Sequence, residues 1–523
     1  MTITAPSATI PADSGAQKGL KIGALGLVSS VVIAIASTAP AYSLTSALGG
    51  IVGEVGLRAP VIIALAFVPM LFISYAYQAL NRVDPDCGTS FTWVARAFGR
   101  AGRRTGWMTG WVIVVADIIV MANLAEIAGS YTFQLVGADS LAASTGWTTL
   151  VGCLWIMLMT LIAWIGIELS ARTQVVLLSL ELVVLAILAV TALIKVYSGH
   201  AGAQAIHPSL SWFNPFGGGL NMTAVSGGFL AAVFIYWGWD SAVAANEETR
   251  DKTVTPGRAA VLSTVVLVAT YLVVAVAAQA YAGVGSDGIG LTSDAAGTDA
   301  LSGIGQAALG TFGFKALVLA ILSSSAASAQ TTILPTARTT LSMAAYRALP
   351  KIFGTVHPRY QTPTFSTWAM GIISVAFFAA MAFIKSGALL NDLILAIGLQ
   401  IAFYYGLTGF ASAWYFRREL SRGGRTLWLK GILPILGGLI LFAAFIKSAI
   451  DFWHPSADDS DVIIWGMGGK FVLGIGVILL GVPLMILWNV IDRSYFSGRT
   501  MADSDAMVAG TALATTGTEV RNP

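Results

Sequence analysis

The sequence is poor in charge, cysteine and histidine. Charged residues make up 11% of its 523 positions, against roughly 25% in a soluble globular chain. A solvated domain surface cannot be built from so few. Two cysteines, Cys87 and Cys153, exclude a disulfide framework, and no zinc-ligand spacing occurs. His200, His207, His357 and His454 all fall outside the apolar runs, and no nucleophile–base motif accompanies them. That argues against an enzyme, and no cofactor or metal is implied. The net charge of +3 calls for no nucleic-acid partner. The first 17 residues lack a basic start, a short apolar core and a cleavage site, so no removable signal peptide is expected.

What the chain does have is apolar length. It is 56% hydrophobic, and runs of about 20 apolar residues, enough to cross a bilayer, recur from end to end. β-barrel strands would instead alternate over about 10 residues. The runs predict an all-α polytopic membrane protein with twelve spans, near 22–50, 59–80, 105–134, 147–167, 172–196, 221–245, 258–282, 313–337, 364–384, 389–415, 430–449 and 470–491. An even number places both termini on one side. Of the Lys and Arg residues, only Arg58, Lys195, Lys315, Lys385, Lys447 and Lys470 fall on the other side. The positive-inside rule therefore puts both termini in the cytoplasm, with the chain in the plasma (inner) membrane. Residues 1–20 and 497–523 read as disordered tails, 21–415 as a core of ten helices, and 416–496 as two further helices.

Two spans are interrupted near their centres. The first holds Ser37, Thr38, Ala39, Pro40 and Tyr42. Pro40 cannot donate a backbone hydrogen bond and crowds the preceding turn. The sixth holds Phe234, Tyr236, Trp237, Gly238, Trp239 and Asp240, a glycine and an acid among large aromatics. A freed backbone group in lipid costs several kcal/mol unless protein or a water-filled cavity satisfies it. Two breaks five spans apart point to a 5+5 inverted repeat with discontinuous helices 1 and 6 around a central site. Helix N-termini at the breaks favour a carboxylate, and the opposed carbonyls favour an ammonium group, so a zwitterionic amino acid fits both. The aromatics could stack on an amine.

Four stretches carry a resemblance to the amino acid–polyamine–organocation superfamily of transporters. Pro85-Asp86-Cys87-Gly88-Thr89-Ser90-Phe91, continuing to Phe98-Gly99, is similar to the family's cytoplasmic motif after span two, with Thr89 in place of its second glycine and Phe91 in place of a tyrosine. Gly238-Trp239-Asp240-Ser241-Ala242, followed by Asn246-Glu247-Glu248 and Pro256, resembles its helix break, acidic pair and proline. Thr339–Pro350 with His357 and Pro363, and Ser170-Ala171-Arg172-Thr173-Gln174, resemble the end of span eight and the start of span five. The resemblance implies import of amino acids or related amines by alternating access, coupled to protons or sodium, or running as exchange.

In some proton-coupled members a lysine stands nine residues after the span-five arginine. Here that position is Glu181, which with Asp240 becomes the candidate coupling group. Asn123, Glu126, Ser325, Ser328 and Tyr404 are further candidates. Asp117 and Glu126 lie on opposite faces of one helix. Intramembrane acids without a matching lysine would suit a putrescine-type diamine, the main rival substrate. A channel or sensor is the alternative of another class, although no filter sequence or charged ring is evident.

Overall fold

The computed structural model describes residues 18–216, 220–384, 388–454 and 463–501. Most of both expected tails lies outside these. The parts that are described are packed: Lys18 and Leu20 are buried, as is Met501. Residues 18–20 and 497–501, which composition assigned to the tails, are thus part of the described structure.

In chain order the main helices are α1 (Leu27–Thr38), α2 (Pro40–Val55), α3 (Ala59–Val83), α4 (Ser90–Ala97), α5 (Gly99–Val136), α6 (Thr145–Ile165) and α7 (Ile167–Tyr197). They continue with α8 (Met222–Ile235), α9 (Ser241–Ala244), α10 (Thr255–Ala282), α11 (Ser302–Ala345), α12 (Thr364–Phe383), α13 (Ala388–Tyr415), α14 (Leu433–Trp453) and α15 (Val477–Ile491). A two-stranded hairpin, Ile463–Ile464 with Met467–Gly468, is the only sheet among the described residues.

Ten stretches among the described residues are long and apolar enough to cross a membrane. The difference from the expected twelve has a local cause at each of two places. Residues 27–83 form one 57-residue string, because only Ala39 and the 3-10 turn Gly56–Arg58 separate α1, α2 and α3. The sixth expected span is cut at Ile235, so α8 has 14 residues and is too short alone. α11 is longer than expected and kinks at Gly310 (φ 69°, ψ −173°).

α7 shows how these helices orient. Val176, Val183, Ile187, Val190 and Ile194 are exposed, while Gln174, Leu178, Glu181, Leu185 and Leu188 are buried. The buried set recurs every three or four residues and the exposed set every three, four or seven, the spacings of one helical face. The apolar face points outward and the polar side chains inward, as a membrane requires. Gly102, Gly106 and Gly110 let α5 approach α4 closely: a Cβ on Gly102 or Gly106 would fall 2.6–2.7 Å from the carbonyl oxygens of Ala95 or Phe91.

Candidate functional site

The first break is made by one residue. Ala39 takes a left-handed conformation (φ 48°, ψ 69°), and its N–H closes α1 by donating to the carbonyls of Ile35 and Ala36. Pro40, which has no N–H to satisfy, opens α2. The next two amides of α2 are already occupied. Ala41 N–H donates to Glu181 Oε1 at 2.6 Å, and Tyr42 N–H to Ser324 Oγ at 3.2 Å. The Ser324 hydroxyl donates to the same Oε1 at 2.8 Å. Glu181, fully buried on α7, thus caps α2, where the helix dipole favours negative charge. Its other oxygen, Oε2, has no partner among the described residues. The end of α2 that the sequence offers to a ligand carboxylate is therefore closed by the chain's own glutamate.

The carbonyls at the end of α1 are also held. Ser328 donates to Ser37 O at 2.8 Å, and Ser43 to Thr38 O at 2.6 Å.

The second break follows α8. Tyr271 OH donates to the last carbonyl, Ile235 O, and Gly238 takes φ 121°, a region that side chains disfavour. Gly238 has a second constraint. A Cβ there would lie 2.7 Å from the Ser37 carbonyl carbon and 2.9 Å from Thr38 N. The two breaks thus touch backbone to backbone, and the hydroxyls of Ser37 and Ser241 join them at 2.7 Å. Asp240 precedes α9 but does not cap it with its side chain. Instead its Oδ2 accepts from Tyr404 OH at 3.1 Å, and Trp237 Nε1 donates to Tyr404 OH at 2.5 Å.

Between the breaks lies a cavity of about 450 Å³, counting space open to solvent. Phe234, Trp237 and Tyr404 give it aromatic walls, and Ser37, Thr38, Ser43, Ser328 and Thr332 give it hydroxyls. Two carboxylates face it, Asp240 and Asp117, and no lysine or arginine lines it among the described residues. Asp117 Oδ2 accepts from Thr336 at 2.5 Å.

Of the candidates read from the sequence, Ser37, Thr38, Tyr42, Phe234, Trp237, Gly238, Asp240, Ser328 and Tyr404 line this cavity. Ala39 and Pro40 shape the break without lining it. Tyr236 turns away, donating to Ile63 O at 3.1 Å and packing on Tyr271. Trp239 is buried against Tyr77 and Tyr405. Asn123 stands behind Tyr42, accepting its hydroxyl. Ser325 bonds back to Leu322 O on its own helix. Glu126 is half-buried and does not line the cavity, whereas Asp117, on the opposite face of α5, does. Among the polar lining residues, Ser43 and Thr332 were not singled out from the sequence, while Asp117 was read only as an intramembrane acid and Ser241 only as part of the helix-break motif. For Ser43 and Thr332 the only signal was polarity inside an apolar run.

A separate polar cluster joins the N-terminal strap, residues 18–25, to the loops after α3 and α9 and to the end of α11. Lys18 Nζ lies 2.9 Å from Asp86 and 2.7 Å from Glu247, with its side chain only 8% exposed. Arg338 grips Glu248 through two hydrogen bonds of 2.8 Å. Asp86 also accepts from Gly88 N–H, Ser342 and Tyr346. Main-chain bonds Leu25 N–Glu248 O (3.0 Å) and Arg250 N–Leu25 O (2.9 Å) fasten the strap. Burial opposes charge on Lys18, but Asp86 and Glu247 outweigh it and hold its pKa well above the usual lysine value. Burial likewise opposes charge on Asp86, yet Lys18 and Arg96 hold it below the usual carboxylate range. Asp86, Cys87 and Glu247 converge closely enough to ligate a metal, but the Lys18 ammonium sits among them, 3.5 Å from Cys87 Sγ.

No curated protein matches the chain. The family model for amino acid permeases matches residues 25–484, a region that contains both breaks, the cavity and the loops of the polar cluster. With its apolar helices, the chain is a multi-pass membrane transporter of amino acids or amines, a member of the amino acid permease family of the amino acid–polyamine–organocation superfamily.

Proposed function

We propose that the protein is a secondary active importer in the plasma membrane, working by alternating access with the cavity between the two breaks as its substrate site. The observation that carries this reading is the backbone contact of Gly238 with Ser37 and Thr38. Non-helical backbone at membrane depth is tolerated where protein buries it or a cavity uses it, and here two such segments meet at a polar cavity. In this reading 27–83 makes two crossings, and the broken stretch 222–248 makes another. With the other apolar helices that gives twelve, arranged as two five-helix units of opposite sense plus two outer helices. The termini are cytoplasmic, following the Lys and Arg distribution.

Amines are the favoured substrates over zwitterionic amino acids. Glu181 and Ser324 occupy the α2 amides that a carboxylate would use, and two carboxylates face the cavity without a balancing cation. An ammonium group beside Asp240, Asp117 and the faces of Trp237 and Phe234 meets charge, hydrogen-bond acceptors and π-systems together. Coupling falls to Glu181 and Asp240, with protons favoured over sodium.

Saturable uptake by liposomes tests the reading. Diamines should compete with one another more strongly than amino acids compete with them. A proton gradient should drive uptake when a sodium gradient does not. Glu181→Gln should flatten the pH dependence of net uptake while sparing exchange. Unsaturable ion current would overturn the transporter mechanism. Unchanged pH dependence in Glu181→Gln would remove Glu181 from coupling alone.

A further inference from the structure

The junction of α6 and α7 opens into a second cavity, of about 680 Å³ counting open solvent. It lies on the side that the Lys and Arg distribution assigns to the cytoplasm. Three independent pieces of chain build its walls. The first is the N-terminal strap, which brings Lys21 and is seated by Gly19 and Leu20 against Val356. The second is the start of α7, from Gly166 to Arg172. The third is the turn 356–363, which brings Arg359 and Tyr360.

Each wall is preorganised. Gly166 (φ 148°) starts α7 with no side-chain cap, so the first amides of a 31-residue helix receive no capping side chain. The turn is closed by His357 N–Thr362 O (2.9 Å) and Gln361 N–His357 O (2.8 Å). His357 Nδ1 accepts from the amides of Arg359 and Tyr360, and Arg359 lies 5.7 Å from the Tyr360 ring centre.

The charges do not cancel. Lys21 pairs with Glu168 at 3.0 Å, but neither Arg172 nor Arg359 has a carboxylate partner among the described residues. A cavity with two uncompensated guanidinium groups beside an uncapped helix start has the chemistry of a phosphate site. Its surroundings match the membrane surface. Trp164 packs against Tyr360 and Trp368, as aromatic residues do at headgroup level, and Leu169, which lines the cavity, is exposed.

We propose that this cavity binds a phosphate-bearing anion, either an anionic phospholipid headgroup or free phosphate, held by Arg172, Arg359 and Lys21. Because Lys21 lies three residues after Lys18, an occupant fastens the strap that carries Lys18 into its carboxylate cluster. The inference does not depend on which substrate is transported.

The test is binding to the full-length protein in nanodiscs of phosphatidylcholine, with and without phosphatidylglycerol, and in detergent with inorganic phosphate. Readouts are the thermal midpoint and the lipid retained in native mass spectrometry. Phosphatidylglycerol should raise the midpoint of the wild type. Arg172→Gln and Arg359→Gln should each weaken the effect about tenfold, and the double variant should abolish it. Arg418→Gln, an exposed arginine elsewhere, should leave it unchanged. A response to phosphatidylglycerol alone identifies a lipid site, and an equal response to inorganic phosphate identifies a free-anion site. Absence of a response to either ligand, or a full response in the double variant, overturns the proposal.

Discussion

Replacing Lys18 by Met keeps most of the side-chain volume and removes one ammonium from a buried cluster. Asp86 and Glu247, 3% and 0% exposed at their side chains, are then left facing each other without their shared cation. Removing one partner of a buried ion pair costs roughly 3–5 kcal/mol, against about 0–1 kcal/mol for a surface pair. The cost falls on the arrangement in which the strap is seated, so its opening should become roughly 10²- to 4 × 10³-fold more frequent. Cys87 provides the assay. It is fully buried, with its sulfur 3.5 Å from Lys18 Nζ. In a Cys153→Ser background, maleimide labelling of Cys87 reports strap opening, and Lys18→Met should accelerate it.

The pH dependence distinguishes loss of charge from loss of packing. Lys18 has a raised pKa in the folded protein. Its contribution is complete below the ordinary lysine value and is lost as pH rises through the folded value. Asp86 has a lowered pKa. Its contribution is present above the ordinary value of about 3.9 and is lost as pH falls through the folded value. Only the thiolate reacts with maleimide, so each rate is divided by that of the unfolded protein at the same pH; wild-type labelling so normalised should rise only towards strong acid or strong base. In Lys18→Met the carboxylates repel, and protonating one relieves them, so acidification should slow labelling. Lys18→Met/Glu247→Gln should recover part of the loss, because the two sites share one interaction. Wild-type labelling in Lys18→Met, or acceleration by acid in both proteins, would refute the electrostatic account.

Gly238→Ala should lose about 2–6 kcal/mol, from a side chain forced to positive φ and from contact with Ser37 and Thr38. The thermal midpoint and uptake should fall together. Gly50→Ala, in a helix with open space around it, should instead be neutral or gain about 0.5–1 kcal/mol. If the two variants behave alike, the backbone contact between the breaks is not a constraint. Asp240→Asn and Asp117→Asn should each weaken diamine binding by about 1.5–3 kcal/mol, read as a rise in the competition constant, with little effect on zwitterionic competitors. Equal losses for both substrate types would argue that the acids hold the fold and do not contact an ammonium group.

Apolar run length located the helices, because in a membrane the length of a run is nearly the length of its helix. Pro40 and Gly238 located the breaks, since both residues act on their own backbone. Side-chain direction beyond a break was not legible. From Tyr236 to Asp240 the backbone leaves the 100° helical step, so sequence spacing no longer says which aromatic faces which way. Trp237 enters the cavity, while Tyr236 and Trp239 on either side of it pack elsewhere. Asp117 and Glu126 could be placed on opposite faces of α5, but choosing between the faces needed α8 and α11. The pairing of Lys18 with Asp86 and Glu247 joins residues far apart in the chain, and no local pattern announces it.

Glu181 illustrates what the fold adds to a residue singled out from the sequence. Its position after Arg172 made it a coupling candidate, but not its means of reaching a substrate. It does not line the cavity. It holds the Ala41 amide and, through Ser324, the Tyr42 amide. The residues that follow, Tyr42 and Ser43, form part of the cavity wall. In the proposed mechanism a proton on Glu181 weakens an anion's hold on the start of α2 and so acts on that wall from behind. Asp240 can act from inside, where an ammonium group would meet it. One group on each side of α2 gives proton and substrate different handles on the same half-helix, and their coupling must then be reciprocal. Saturating amine should therefore shift the pH dependence of Glu181-controlled steps, and Glu181→Gln should remove that shift while leaving Asp240-dependent amine binding in place.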